Sequence, residues 1–205
     1  IAPIHLCDPD SGVYNRSFVP ESTSLVRGYG RMQGLLSRPG DRRFADLHKL
    51  TQGRPEFELP ATVFAADTIM VNRNRGSGTR VLIDLLLDRA NETKTETRTQ
   101  TKTKTKIVEG LRRPRGYHHE ARSHQGVAAC ITQGRADWGI AIQSVRHGLD
   151  FVPIKAESYD FVIADKRRDR PAIRLFLKCL HDPVLRAELA AEGFIVDVDV
   201  DVDVD

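Results

Sequence analysis

The sequence is poor in the residues that build disulfide frameworks, zinc centres and membrane spans. It contains three cysteines in 205 residues, and Cys7, Cys130 and Cys179 are too far apart for a zinc-ligand motif. An odd, sparse set is typical of thiols in a reducing compartment, and the apolar patterns around Cys130 and Cys179 predict core positions. No apolar run approaches the roughly 20 residues of a membrane-spanning helix. We therefore predict neither a disulfide-rich scaffold, nor a zinc ribbon, nor a membrane-spanning protein.

A strong charge imbalance is also lacking. The 31 Lys and Arg residues face 28 Asp and Glu residues and leave a net charge of +3. Much of this small excess falls in residues 92–106, so direct nucleic-acid binding is not expected. No signal peptide is visible, although the chain begins at Ile1 and not at Met. We expect a cytoplasmic protein that does not bind a membrane.

Three of the histidines, His118, His119 and His124, lie close together in the sequence. The acids and thiols near them do not follow the spacing of metal ligands, which usually alternate close pairs with a longer gap. We therefore assign no metal to these histidines and predict no metal site in this chain.

The most informative stretch is residues 72–80. An apolar segment, residues 69–71, leads into a turn with two glycines, and the apolar pattern of a helix follows at residues 81–87. The first turn of a helix offers unpaired N–H groups and the positive end of the helix dipole. Glycine lets a bound group approach the backbone, and nearby hydroxyls and arginines add donors and charge. The residues that could contact a small anion are Asn72, Arg73, Arg75, Ser77, Gly78, Thr79 and Arg80.

Simpler interpretations of this stretch stay open. Ser77 is a suitable N-cap for the helix, and the arginines could do no more than solvate the loop. Arg80 could pair with Asp84 one helical turn on instead of facing an anion. The stretch is not a Walker phosphate loop, because no Lys follows the glycines and their spacing differs.

The chain as a whole alternates strand-like and helix-like segments, which predicts an α/β fold with mainly parallel sheets. Two segments do not fit this alternation. In residues 92–106, Thr stands at nearly every second position between Lys, Glu, Arg and Gln, and we expect a mobile loop that buries little. Residues 196–205 are a Val-Asp repeat, for which we expect a disordered tail or a ragged edge strand.

Local patterns set the expected ends of the strands. Gly28 and Gly30 are expected to interrupt an extended segment at residues 24–37, because glycine weakens a strand interior. Residues 151–154 and 159–163 are expected to form two strands that are separated by a short polar link. Both segments would lie near the points where the chain passes from one lobe to the other in the two-lobed fold introduced below.

Six parts of the sequence, taken in order, resemble a known family. They are residues 5–15, 31–35, 72–80, 123–124 with 127–129, 134–139, and 151–153 with 159–160. Together they resemble the periplasmic-binding-protein-like domain that occurs in the cytoplasm of bacteria and archaea, attached to molybdopterin biosynthesis proteins or to helix-turn-helix regulators. That domain is similar to type 2 solute-binding proteins for molybdate and tungstate and to the effector domains of LysR-type regulators.

The resemblance implies two α/β lobes that are joined by two crossovers, with the ligand in the cleft. Lobe 1 would comprise residues 1–40 and 151–195, and lobe 2 residues 41–150. The insertion at residues 92–106 would belong to lobe 2, and the tail at residues 196–205 would follow lobe 1. The family's first lobe begins with a strand, a helix and a Gly/Ser-rich turn that have no counterpart here, so we expect lobe 1 to be incomplete.

The resemblance also implies a ligand and partners. The ligand would be a small anion such as molybdate or tungstate, with no other cofactor, and the partner a fused or associated helix-turn-helix or molybdopterin-biosynthesis domain. Tyr159 would match a cleft Tyr that donates to the oxyanion, and His124, next to Ser123, could donate as well. From the residues alone, Tyr159 could equally be a hinge residue packing on Pro153, and His124 a surface cap residue.

Several functions compete, and we favour a module that binds or senses a small oxyanion in molybdenum cofactor metabolism or its transcriptional regulation. An effector-binding domain of a DNA-binding regulator with a different ligand, or a non-functional fragment, are the alternatives. An enzyme would need Ser77 as nucleophile and His124 as base, but no nucleophile-elbow pattern is present. We therefore predict no catalytic residues, and the sequence contains no recognisable helix-turn-helix of its own.

We predict that any nucleic-acid binding is weak and follows the Lys and Arg residues of residues 92–106. Binding that rests on charge alone loses affinity steeply as salt is raised, because counterions are released from the phosphates. Fluorescence anisotropy with two unrelated DNA duplexes over a salt series measures this. Selective binding to one duplex that persists at physiological salt would contradict the prediction.

Overall fold

The computed structural model describes residues 1–7, 13–44, 57–99 and 112–196, with the backbone alone for residues 92–99. The strands are β1 (Ala2–Ile4), β2 (Thr23–Ser37), β3 (Met70–Arg73), β4 (Glu120–Ala121), β5 (Trp138–Ile142), β6 (Asp150–Ala164) and β7 (Phe194–Ile195). The helices are α1 (Gly78–Thr99), α2 (His124–Thr132), α3 (Pro171–Leu180) and α4 (Pro183–Ala191). This mixture of strands and helices confirms the predicted α/β class.

The chain divides into two compact units. The terminal unit comprises Ile1–Met32 and Lys155–Asp205, and the central unit comprises Gln33–Ile154. Both boundaries fall inside long strands, so β2 and β6 each contribute residues to both units. The lobe boundaries implied by the resemblance, after residues 40 and 150, stay a prediction.

Within the described residues, five strand pairs have a defined register. The two pairs that involve β3 are parallel, and the other three are antiparallel. In the central unit, β3 pairs in parallel with β4 and with β5. β5 pairs with β2 in antiparallel register, with Leu35 opposite Ile140. In the terminal unit, β1 is antiparallel to β6 and β7 to β2. The expectation of mainly parallel sheets therefore holds at β3 and fails for β1, β2 and β7.

The core of the central unit lies between these strands and α1. Ile83, Leu86 and Leu87 are buried on α1, at the spacing of three and four residues that keeps side chains on one helix face. They belong to one cluster with Met70 and Trp138. Burial of each such side chain contributes about 1.5–3 kcal/mol. This packing holds the start of α1 against the end of β3.

Helix α1 is longer than the sequence predicts. It continues through residues 92–99, which we expected to belong to a mobile loop. Lys, Glu and Arg are good helix formers, and a helix that already exists gains one hydrogen bond for each residue it adds. The loop prediction is therefore wrong for residues 92–99, whereas residues 100–106 and 197–205 lie outside the described residues.

We expected the glycines of β2 to interrupt the strand, but this prediction is wrong. They instead allow close contact between β2 and its neighbours. A Cβ at Gly28 would lie 2.1 Å from the carbonyl oxygen of Tyr159, and one at Gly30 would lie 2.9 Å from Cβ of Ile195. The Gly28 N–H also donates to Oδ1 of Asp160 at 3.0 Å. Strand β2 is continuous because the missing side chains leave room for the chain segments beside it.

Strand β6 is also one strand where the sequence predicted two. The polar link between the expected strands remains extended, and its Glu157 is buried and forms an ion pair with Arg31 of β2. A polar side chain that is paired in this way can stay within a strand, because its burial leaves no charge unmatched. The polar composition of the link therefore gave the wrong strand boundary.

The two helices of the terminal unit begin where the sequence predicts. Each has Pro in its first turn, and Asp182 caps α4 by accepting two backbone hydrogen bonds. The prediction of core positions for the cysteines is wrong for Cys179, which is exposed, and Cys130 is half-buried. On α3 it is Leu180 that is buried. None of the helices in the described ranges is long and apolar enough to cross a membrane.

A network of ion pairs ties the turn after β2 to the loops around β3 and β5 in the central unit. Asp137 accepts from Arg43 at 2.7 Å, from Arg38 at 2.5 Å and from the Ile69 N–H at 2.8 Å. Burial alone would raise the pKa of Asp137, but these hydrogen bonds outweigh it and lower the pKa. Hydrogen bonds from Arg43 lower the pKa of Asp41 as well. The charged forms of both carboxylates therefore stabilise the fold.

We predict that Asp137→Ala lowers the free energy of unfolding by about 1–3 kcal/mol, because the Ile69 N–H, Arg38 and Arg43 all lose the carboxylate that accepts their hydrogen bonds. A carboxylate whose pKa is lower in the folded state contributes stability at neutral pH, and this contribution is lost as pH falls through the folded pKa. Asp137→Asn should accordingly flatten the acid side of a plot of thermal midpoint against pH.

The matched control for this experiment is Asp67→Asn. Asp67 lies 3.9 Å from Arg43, and its side chain is 73% exposed, so its ion pair is expected to contribute little. Equal thermal shifts for the Asp67 and Asp137 variants would show that the network has no special role.

Candidate functional site

The turn between β3 and α1 has the geometry of a capped helix start. Gly76 has a φ of +83°, a conformation that glycine adopts without strain. The Ser77 hydroxyl donates to the Asn74 carbonyl at 2.9 Å and accepts from the Arg80 N–H at 3.2 Å. Ser77 is therefore the N-cap of α1, and both its donor and one acceptor position are already used.

Three hydrogen-bond donors remain at this helix start. Among the residues that the structure describes, the N–H groups of Gly78 and Thr79 and the hydroxyl of Thr79 form no hydrogen bond. Gly78 is exposed, whereas Thr79 is 4% exposed. Backbone donors at a helix N-terminus carry the positive end of the helix dipole. The arrangement can therefore accept a small anion.

Arg73, the last residue of β3, is 8% exposed and lies beside the turn. Its guanidinium donates to the Ala121 carbonyl at 3.3 Å, and its Nη1 lies 3.0 Å from Nδ1 of His124. A guanidinium can only donate, so Nδ1 must be the acceptor and the ring proton must sit on Nε2. This contact brings the two predicted residues together and, in the tautomer that it requires, leaves Nε2–H as the donor of His124.

Arg80 serves the structure of α1 instead of facing outward. Its Nε donates to Asp84 at 3.0 Å, and its Nη1 donates to Glu120 at 2.9 Å and to the Arg73 carbonyl at 3.2 Å. Its guanidinium lies 4.5 Å from the ring centroid of Tyr117. Burial on its own would lower the pKa of Arg80, but the interactions with Tyr117, Glu120 and Asp84 raise it. The alternative of an Asp84 pair is thus the observed one.

Asn72 and Arg75 occupy opposite environments. Asn72 is fully buried, where its Nδ2 donates to the Tyr117 carbonyl at 3.0 Å and its Oδ1 accepts from the Arg73 N–H at 2.8 Å. It therefore secures β3 to the loop before β4. Arg75 is exposed, and within the described part of the chain its side chain forms no ion pair. Its charge is available to a ligand.

Tyr159 belongs to the terminal unit, where it is part of an aromatic cluster. Its ring stacks with those of His5 and Tyr29, each at a centroid distance of 5.3 Å, and the Arg31 guanidinium lies 4.4 Å from its centroid. Phe161 packs edge-on at 5.9 Å. These contacts give Tyr159 a packing role, which was one of the two alternatives, within an aromatic cluster that the sequence did not predict.

Sequence reasoning missed two residues of the central unit, Tyr117 and Glu120, that hold Arg80 in place. The Tyr117 hydroxyl donates to Asp84 at 2.7 Å. Both residues are far from Arg80 in the sequence, and no spacing rule connects them with it. No group of three or more His, Cys, Asp and Glu residues in the described ranges could hold a metal ion.

Comparison with known proteins places the chain in a family. The strands and helices around the open helix start define a periplasmic-binding-protein-like α/β fold, and a family model described as a PBP superfamily domain matches residues 1–181. The chain therefore belongs to the PBP superfamily. The narrower relation to domains of molybdopterin biosynthesis proteins and regulators stays a prediction.

Two uncharacterised relatives share part of the sequence. YvgK of Bacillus subtilis (strain 168) is 28% identical over 173 residues, which are 81% of this chain and 47% of YvgK. A protein in the ferredoxin 2Fe-2S gene 5' region of Clostridium pasteurianum is 31% identical over 83 residues, 38% of this chain and 72% of that protein. The chain thus spans about half the length of YvgK.

Solved structures show a distant likeness of fold. A phosphate transport receptor from Vibrio cholerae has a TM-score of 0.46 at 11% identity, covering 90% of this chain and 77% of the receptor. The periplasmic molybdate-binding protein of Azotobacter vinelandii has a TM-score of 0.42 at 19% identity, and the match covers 89% of this chain and 72% of that protein. Likenesses this distant carry no argument about what this chain binds.

We predict that Arg80→Met destabilises the protein by about 1–3 kcal/mol, since it removes a donor from Glu120 and from the Arg73 carbonyl and leaves Asp84 with the Tyr117 hydroxyl alone. Arg75→Met is the matched control, because it removes the same charge from an exposed position and should change the unfolding free energy by no more than about 0.5 kcal/mol. Urea denaturation followed by circular dichroism measures both. Equal stability of the two variants would rule out the structural role of Arg80.

Proposed function

We propose that this chain binds a small oxyanion and that the N-terminus of α1 is its anion contact in the central unit. The observation that carries the proposal is the group of three donors without protein partners: the N–H groups of Gly78 and Thr79 and the hydroxyl of Thr79. The Thr79 hydroxyl is not sealed in the interior although the residue is only 4% exposed, so a ligand can reach it from solvent. An oxyanion would satisfy all three donors together.

The charges around this helix start support the proposal. Arg75 is exposed next to the turn, and Arg73 lies at the end of β3 with its guanidinium against His124. Hydrogen bonds to a charged group contribute about 1.5–3 kcal/mol each, compared with about 1 kcal/mol for neutral pairs. We therefore assign ligand contact to Gly78 and Thr79, with charge from Arg75 and Arg73.

The other predicted residues take supporting roles in this proposal. Asn72, Ser77 and Arg80 shape the turn through the contacts described above. His124 is an additional donor through Nε2. Tyr159 is left out, because its ring is engaged by the aromatic cluster of the terminal unit.

For the ligand itself we propose a tetrahedral oxyanion such as molybdate or tungstate, with a role in molybdenum cofactor metabolism or its regulation. This choice is supported by the sequence resemblance described above and by membership in the PBP superfamily. The part that a fused helix-turn-helix or molybdopterin-biosynthesis domain would play belongs to the same proposal. The donors at α1 are compatible with any small oxyanion, so the experiment must compare several.

The test is calorimetric titration of the full chain with molybdate, tungstate, sulfate and phosphate. Thr79→Ala should weaken binding of the preferred anion about tenfold or more, the equivalent of one hydrogen bond to a charged group. Gly78→Val should abolish binding, because a branched Cβ blocks the approach to the backbone. Valine fits the helical backbone at Gly78, which has no positive φ, so the fold should persist.

Thr132→Ala and Ala187→Val are the controls: the first makes the same change as Thr79→Ala, and the second introduces the same side chain as Gly78→Val, both at exposed helix positions elsewhere. Both should bind the anion like the unmodified chain, and thermal melting should show all four variants folded. The proposal is wrong if none of the four anions binds, or if Thr79→Ala and Gly78→Val bind as tightly as the controls.

A further inference from the structure

A cysteine, a lysine and a tyrosine meet in the terminal unit. None of them belongs to the central unit, which contains the start of α1. Cys7 pairs with Tyr14 in an isolated antiparallel bridge. Nζ of Lys155 on β6 donates to Sγ of Cys7 at 3.5 Å and lies 5.5 Å from the ring centroid of Tyr14. A thiol and a primary amine are therefore in contact although 148 positions separate them in the chain.

Tyr14 and the partial burial of the pair define its surroundings. Burial, and then the charges of Cys7 and Glu157, raise the pKa of Tyr14, so its side chain stays a neutral phenol. In the described ranges no carboxylate pairs with Lys155, whose polar contact is the sulfur. Cys7 and Lys155 are both half-buried, so a small oxidant has access while bulk water is partly excluded.

We propose that Cys7 and Lys155 form an oxidation-sensitive pair that becomes covalently linked through a sulfur–nitrogen bond. Peroxide first transfers one oxygen atom to Sγ, which oxidises the thiol to a sulfenic acid and reduces the peroxide to water. The Lys155 amine, after giving a proton to solvent, then attacks Sγ. The S–N bond forms, the S–O bond breaks, and the hydroxyl group leaves as water by taking up the proton that the nitrogen loses. Sulfenic acids condense with a backbone nitrogen by the same reaction, which is reversible, so a thiol reductant should restore the starting groups.

The position of the pair means that a covalent link would change the thermal stability of the protein. It would tie the segment that follows β1 to β6, the strand that contributes to both units. A cross-link that closes a long loop restricts the unfolded chain more than the folded one, so it raises thermal stability. The same oxidant should therefore raise the thermal midpoint through Cys7 and leave it unchanged through the other cysteines.

The experiment treats the full chain with a small excess of hydrogen peroxide, digests it and analyses the peptides by mass spectrometry. We expect a linked pair of peptides that contains Cys7 and Lys155 and is lighter than their sum by two hydrogen atoms. It should disappear after treatment with dithiothreitol. The thermal midpoint of the intact protein should rise with peroxide and return with the reductant.

Three variants sharpen the test. Lys155→Arg keeps the charge beside the thiol but removes the amine, and Cys7→Ser removes the sulfur; each should abolish the linked peptides and the thermal shift. Cys179→Ser is the matched control, since Cys179 is the more exposed thiol, and both effects should persist in it. If the folded protein instead carries Cys7 as a thiol or a sulfinic acid with Lys155 unmodified, the proposal is overturned.

Discussion

The start of helix α1 depends on the guanidinium of Arg80. This group reaches Asp84 within the same helix, Glu120 on β4 and the carbonyl of Arg73 on β3, and it covers the ring of Tyr117. A charge buried this deeply is tolerated only when hydrogen bonds replace its hydration, and here three acceptors, one from each of three elements, do so. Arg80 therefore fixes where α1 begins relative to the parallel strands.

This fixation decides which groups at the turn are left for a ligand. With Arg80 held by carboxylates, Ser77 used as the cap and Asn72 bonded to the loop before β4, these three side chains are engaged within the protein. In the first turn of α1, the N–H groups of Gly78 and Thr79 and the Thr79 hydroxyl make no hydrogen bond to the described residues. The sequence stretch is rich in residues that suit an anion, but most of them are engaged in building the turn. Fewer of its residues are left to contact a ligand than its composition indicates.

The sequence predicted the strand, turn and helix of this site correctly, because each rests on local rules for glycine, caps and apolar spacing. It left open whether Arg80 faces a ligand or Asp84, and the structure shows the second. The reason could not be read locally, since Glu120 and Tyr117 approach Arg80 only in the folded chain.

Strand boundaries failed for a related reason. Glycine and polar residues normally weaken a strand, yet Gly28 makes room for a neighbouring carbonyl and Glu157 is paired with Arg31. Both effects depend on contacts between segments that are distant in the sequence. The end of α1 was misjudged because an established helix extends through residues that would not start one.

The magnitudes limit what the start of α1 can achieve as a binding site by itself. Three hydrogen bonds to an anion, at about 1.5–3 kcal/mol each, amount to roughly 5–9 kcal/mol. The loss of translational and rotational freedom on association opposes this by about 4–15 kcal/mol. Helix dipole effects add only about 0.3–1 kcal/mol at an exposed position. Micromolar or tighter binding therefore requires positive charge close to the anion. Arg73 and Arg75, whose side chains lie outside the Arg80 network, are placed to supply it. Affinity should consequently respond to the charge at Arg75, while the choice between anions should respond to Thr79.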